Sequence, residues 1–170
     1  MSDYVKTALE LGAENAARFG MEDIVFDARV ILKCLFGCED YGKIHTCPYQ
    51  KSPLGMDAYK AIFMRYKWGI IIGCGDKHIC QRISYEIERT CFLDGYYFAF
   101  SLSDCGLCAE CARASKKDTE RECRFPTKAR PAFHSVGIDV FKTVKNLGLP
   151  IDVLKKPEDL EHWYSAVFVE

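Results

Sequence analysis

The sequence predicts a single α/β domain: an open sheet of about four strands, with flanking helices and cysteine-rich metal-binding loops. Three observations carry that expectation. A chain of 170 residues suits one domain, taken here as residues 1–170. Strand-sized apolar runs alternate with runs of helical period, the pattern of an α/β layer fold. Ten cysteines are many for this length, and Cys34, Cys38, Cys47, Cys105, Cys108, Cys111 and Cys123 all fall between the periodic runs. Apolar residues make up 49% of the chain, enough for a full core without staples.

The elements follow in order. Residues 3–19 are expected to form a helix, with Asp3 as cap, Val5, Ala8, Leu9, Gly12 and Ala16 near one face, and Gly20 as stop. Residues 24–32 read as a strand, because Val25, Val30 and Ile31 are β-branched. That strand would deliver the chain to a loop holding Cys34, Cys38 and Cys47. Open α/β sheets place ligands at such strand ends. Residues 53–66 read as a helix and 67–73 as a strongly apolar strand. Over 78–93 the residues Ile79, Ile83, Ile87 and Cys91 recur at steps of four, which predicts a helix with one buried face. Cys91 and its neighbour Cys80 are then small buried residues rather than ligands. Asp94-Gly95 is a turn, and 96–102 an aromatic strand leading to Cys105. Residues 135–147 read as a helix ended by Gly148, and 164–169 as the last strand.

Charge and termini narrow the function classes. A net charge of -1 and a pI near 6.4 give no electrostatic case for nucleic acid or an anionic membrane. The start Met1-Ser2-Asp3-Tyr4 lacks the basic and apolar regions of an export signal, and no apolar run is long enough for a bilayer. Metal or redox chemistry in a reducing cytoplasm is therefore expected in preference to a disulfide framework. Oxygen-labile clusters would suit an anaerobic organism.

The thiols carry the chemistry. Cys105-x2-Cys108-x2-Cys111 is the spacing with which bacterial ferredoxins fold three thiolates around one face of an iron–sulfur cube. Structural zinc more often takes its cysteines as separated pairs, and stands as the alternative metal. Cys123 supplies a fourth thiol to the run. Cys34, Cys38 and Cys47 would then hold a second [4Fe-4S] cluster with one iron lacking a protein thiolate. A competing assignment has Cys47, followed by Pro48, cross to the Cys105 site, as the last cysteine of a run does in two-cluster ferredoxins. Cys74 is a reserve ligand, and His45 a candidate ligand or proton donor beside Cys47. His134 reads as a buried donor. Arg121, Arg124, Lys128 and Arg130 around Cys123, with Lys33 and Lys43 around Cys34 and Cys38, would offset an anionic cluster. Phe36, Tyr41, Phe125 and Phe133 would exclude water from it. Three functions follow: an electron carrier serving a redox partner protein, an enzyme acting on a small-molecule substrate at the open iron, or a zinc-stapled interaction module.

Taken together, several motifs form one ordered pattern. They are Cys34-x3-Cys38-x2-Tyr41-Gly42-x4-Cys47-Pro48, Asp94-Gly95-Tyr96, Cys105-x2-Cys108-x2-Cys111, Cys123-x2-Pro126, Arg130-Pro131 and Gly137-Ile138-Asp139-Val140. The pattern resembles the predicted metal-binding proteins of domain-of-unknown-function family 2284, from about Ile24 to Val169. The resemblance implies metal binding, with no settled reaction, in a family mainly of anaerobic bacteria and archaea. Cys74, Cys80 and Cys91 lie outside its pattern, which favours structural roles for them.

Overall fold

The computed structural model describes residues 2–47, 54–108, 122–156 and 158–170. Its sheet consists of β1 (Asn15–Gly20), β2 (Trp68–Cys74), β3 (Phe100–Leu102) and β4 (Trp163–Phe168), in the order β1-β2-β4-β3. Every pairing is antiparallel. β2 is central because its residues are apolar on both sides. Ile70, Ile72 and Cys74 enter one half of the core, and Ile71 enters the other. β4 alternates to match: Val167 sits with Ile70, while Tyr164, Ala166 and Phe168 sit with Ile71. Glycine at 69 makes room for the neighbours of β2. A Cβ there would strike the Phe19 ring and the Val167 carbonyl. Gly69→Ala is expected to cost about 1–3 kcal/mol as an overpacked core, read as a lower midpoint in denaturant unfolding.

One face of the sheet is covered by α1 (Tyr4–Glu10) and α4 (Lys77–Leu93). α1 begins as expected, with the Asp3 carboxylate accepting from Lys6 N at 3.1 Å. It is shorter than the expected 3–19 helix. The chain turns at Gly12, whose φ of 103° favours glycine, and residues 15–20 pair with β2 instead. Strand pairing buries Phe19 against Phe168, a gain that continued helix would forgo. α4 matches its expected span. Asp76 caps it, accepting from His78 N at 2.8 Å and Ile79 N at 3.0 Å. Ile83, Ile87 and Cys91 are buried as expected, whereas Ile79 is exposed.

The three cysteines outside the family pattern are core residues. Cys74 on β2 and Cys80 on α4 are buried in the same core cluster. Cys80 Sγ also lies 3.2 Å from Ser165 Oγ. Cys74, the reserve ligand, is thus packed into the core beside Ile70 and Ile72. Burial pushes the Cys91 thiol from 9.0 up to about 12. Unfolded Cys91 therefore loses its proton above pH 9 while folded Cys91 keeps it, so its stabilising share is complete below pH 9 and fades as pH rises toward about 12. Unfolding midpoints are expected to fall across that window, and less steeply in Cys91→Ala.

The second face is covered by a 3-10 turn at Met21–Asp23, α3 (Met56–Phe63), a 3-10 turn at His134–Val136 and α5 (Val140–Asn146), with α2 (Val30–Gly37) packed on the His134–Val136 turn. The expected strand at 24–32 is absent. Phe26 makes a single bridge to Ile138, flanked by Asp27 N to Gly137 O at 3.0 Å and Asp139 N to Val25 O at 2.8 Å. The Asp27 carboxylate then accepts from Arg29 N at 3.0 Å, which turns the chain into α2. Cys34 is consequently on a helix, not in a loop after a strand. The 135–147 helix is split at Gly137, where φ is 93°, and restarts with Asp139 capping α5. β3 is shorter than the 96–102 run, whose Tyr97 and Phe98 are exposed. The helix expected over 53–66 is α3, and residues 48–53 lie outside the described ones. Among the described residues no helix is long and apolar enough to cross a membrane.

Candidate metal centre

The thiol-bearing segments gather where three strands terminate. Cys74 closes β2 opposite Trp163, which opens β4. Leu102 closes β3 opposite Ala166, so Ser103-Asp104-Cys105 leaves the sheet at the same end. α4 also begins there. Ser103 N donates to Pro131 O at 2.9 Å, which ties the segment following Cys123 to the segment preceding Cys105. α2 supplies Cys34, which is 4% exposed. Burial pushes its thiol up to about 11, and the negative charges of Cys38, Cys47 and Asp104 add to the effect. Cys38 and Asp104, the residue that precedes Cys105, line the same cleft, so the first cysteine run approaches the start of the second. Burial pushes the Asp104 carboxyl up too, against the opposing charges of His134 and Lys77.

α4 holds the second run by one residue, Gly106. Gly106 N donates to Gln81 Oε1 at 2.6 Å, and Gly106 O is bonded to His78 Nδ1. Because the carbonyl only accepts, His78 must carry its proton on Nδ1. A Cβ on residue 106 would lie 2.8 Å from that nitrogen, so this grip requires glycine. The sequence profile of the predicted metal-binding proteins DUF2284 matches residues 17–169. The chain belongs to this family. No curated protein and no solved structure matches it.

For a DUF2284 chain the donor chemistry fits a metal. Thiolate sulfur is soft and suits iron–sulfur clusters or zinc. Among the described residues, two buried side-chain nitrogens lack a hydrogen-bond partner: Gln81 Nε2, on the α4 residue gripping Gly106, and His45 Nδ1, two residues from Cys47. Native proteins seldom leave such groups unsatisfied, and a sulfur-rich anion would supply acceptors. Among the described residues, however, no three His, Cys, Asp or Glu side chains are gathered closely enough to hold an ion. Cys38, Cys47, Cys105, Cys108 and Cys123 are half-buried, and Cys111 lies outside the described residues.

The surroundings correct several expectations about neighbouring residues. Arg130 does not stand free beside Cys123. Its Nε donates to Glu88 Oε2 at 2.9 Å, and Glu88 also accepts from Ser101 N at 2.7 Å and Ser101 Oγ at 2.6 Å. That charge is therefore neutralised within the fold. Arg121 lies outside the described residues. Phe36 is 85% exposed and shields nothing, while Phe133 is a core residue at 2%. His134, expected to be a buried donor, is half-buried and lines a cleft. The cleft measures about 840 Å³; Cys38, Asp104 and His134 form part of its wall, and Phe141, Val153 and Tyr164 form part of the rest.

His78 and Gln81 are the residues that sequence reading missed. Both belong to a helix whose periodicity accounts for its existence, so nothing marked them as contacts to a loop 25 or more positions away. The available signal was Gln81 itself, a polar residue beside the buried Cys80.

Proposed function

We propose that this DUF2284 protein binds iron–sulfur clusters, most simply two [4Fe-4S] clusters, and carries electrons to or from a redox partner in a reducing cytoplasm. The observation that carries the reading is the ferredoxin spacing of Cys105, Cys108 and Cys111, with Cys38 of the first run and Asp104 of the second lining one cleft. In this reading Cys105, Cys108, Cys111 and Cys123 hold one cluster, and Cys34, Cys38 and Cys47 hold the other. When bound, such clusters accept and release single electrons. The chain's contribution is to fix the thiolates, exclude water around the buried Cys34, and present hydrogen-bond donors. His78 and Gln81 fix the Cys105–Leu107 turn through Gly106. Lys77 and His134 oppose the negative charge that Asp104 adds there.

The reading is tested on anaerobically prepared protein. Dithionite is expected to bleach a broad visible absorption, and an added oxidant to restore it. A colourless protein, inert to dithionite and unfolded by a zinc chelator, would favour the zinc-stapled module instead.

One observation favours a second reading, in which the protein is an enzyme. Cys38 lies on the wall of the 840 Å³ cleft, a volume that suits a small molecule. Three thiolates leave one iron of a cube without a protein ligand, and an organic substrate in the cleft would have access to it. Finding that every iron has a cysteine ligand would remove this reading.

A further inference from the structure

We propose that Gln81 donates its side-chain N–H to a sulfur of the metal centre at the Cys105 run, and so helps to set that centre's reduction potential. The inference rests on the iron–sulfur reading above and assigns a role there to a residue that is not a ligand.

The orientation of the Gln81 amide follows from chemistry. A backbone N–H can only donate, so the atom 2.6 Å from Gly106 N must be the amide oxygen. Nε2, on the same carbon, is thereby turned away from that bond with two N–H groups to place. The side chain is only 1% exposed, and Nε2 has no partner. Native proteins seldom leave such a buried donor unsatisfied. The peptide that Gln81 grips joins Cys105 to Gly106, so the unpartnered N–H groups lie one amide width from a candidate ligand's own peptide. A thiolate or bridging sulfide is an acceptor of the right charge, and N–H···S bonds to a cluster stabilise its more negative, reduced state. A Leu or Met at position 81 would keep the volume and lose both the Gly106 bond and the donor.

His78 provides the control. It holds the other side of the same residue, through Gly106 O, from an exposed position. Removing it loosens the turn and leaves the Gln81 donor in place. A purely positioning role for Gln81 would make the two substitutions alike; a donor role makes them differ.

The sequence contains two glutamines, Gln50 and Gln81, which permits a direct test. Full-length protein with ¹⁵N in its glutamine side chains is reduced anaerobically and examined by pulsed EPR. The expected result is a ¹⁵N coupling to the cluster spin that persists in Gln50→Leu and His78→Ala and disappears in Gln81→Leu. The midpoint potential is expected to fall in Gln81→Leu and to stay at the wild-type value in His78→Ala. If Gln81→Leu does not assemble its cluster, Gln50→Leu still decides, since its only labelled side chain is Gln81. A reduced, iron- and sulfide-containing Gln50→Leu protein with no ¹⁵N coupling overturns the proposal and leaves the functional reading standing. Protein without iron or sulfide overturns both.

Discussion

Replacing Arg130 by Ala is expected to destabilise the fold by about 3–5 kcal/mol, because it leaves Glu88 buried and charged without its partner. The side chains of Arg130 and Glu88 are only 13% and 12% exposed. Glu88 accepts from Arg130 and from the main-chain N–H and hydroxyl of Ser101 in β3. The pair therefore joins α4, β3 and the segment descending from Cys123. The Arg130 guanidinium also lies over the Phe100 ring, 5.2 Å from its centroid, and the substitution removes that packing as well. Set against the 5–15 kcal/mol typical of whole domains, roughly a third of the stability is at stake. Arg29 supplies the contrast. Its ion pair with Asp27 has comparable geometry, but its side chain is 78% exposed, so Arg29→Ala should change stability by about 0–1 kcal/mol. Chemical denaturation of the two variants checks the difference. A double-mutant cycle with Glu88→Gln then isolates the pair energy.

Cysteine substitutions are expected to divide the metal content in two. With separate sites, Cys123→Ser leaves the Cys105 run short of its fourth thiolate and removes about half of the iron, while Cys47→Ser empties the other site. With the crossing arrangement, Cys47→Ser disturbs the Cys105 site instead. The EPR spectrum of the iron left in each variant separates the two patterns. Cys34→Ser should lose its site more completely than Cys38→Ser. Cys34 is the buried member of the set, and a serine hydroxyl there gives up a soft ligand in a place water does not reach. Cys80→Ala and Cys91→Ala should keep all their metal, because those thiols are packed in the core with α1, α4 and β2.

Some of this architecture is legible in the sequence for clear physical reasons. Ile70-Ile71-Ile72 predicts a strand buried on both faces, and the centre of the sheet is where it lies. The steps of four through Ile83, Ile87 and Cys91 predict α4. The errors occur where local pattern is ambiguous and a distant partner decides. Ala16, Ala17 and Phe19 suit a helix face or a strand, and only the open edge of β2 selects the strand. Val25, Val30 and Ile31 are β-branched, yet their stretch finds just one bridge before Asp27 begins a helix. The antiparallel arrangement also removes the reason for placing ligands after parallel strands. Cys105 follows a strand as expected, whereas Cys34 reaches the same region from a helix. The cysteine spacing was legible because ligand geometry is local within a run. The cleft shared by Cys38 and Asp104, and the grip of α4 on Gly106, are long-range features that a one-dimensional pattern does not contain.

Whether the two cysteine runs build an iron–sulfur centre is decided by the iron and acid-labile sulfide content of anaerobically isolated protein. Both elements are expected in equal amounts, about eight of each per chain for two cubes. Stoichiometric zinc with no sulfide in that preparation would contradict an iron–sulfur centre.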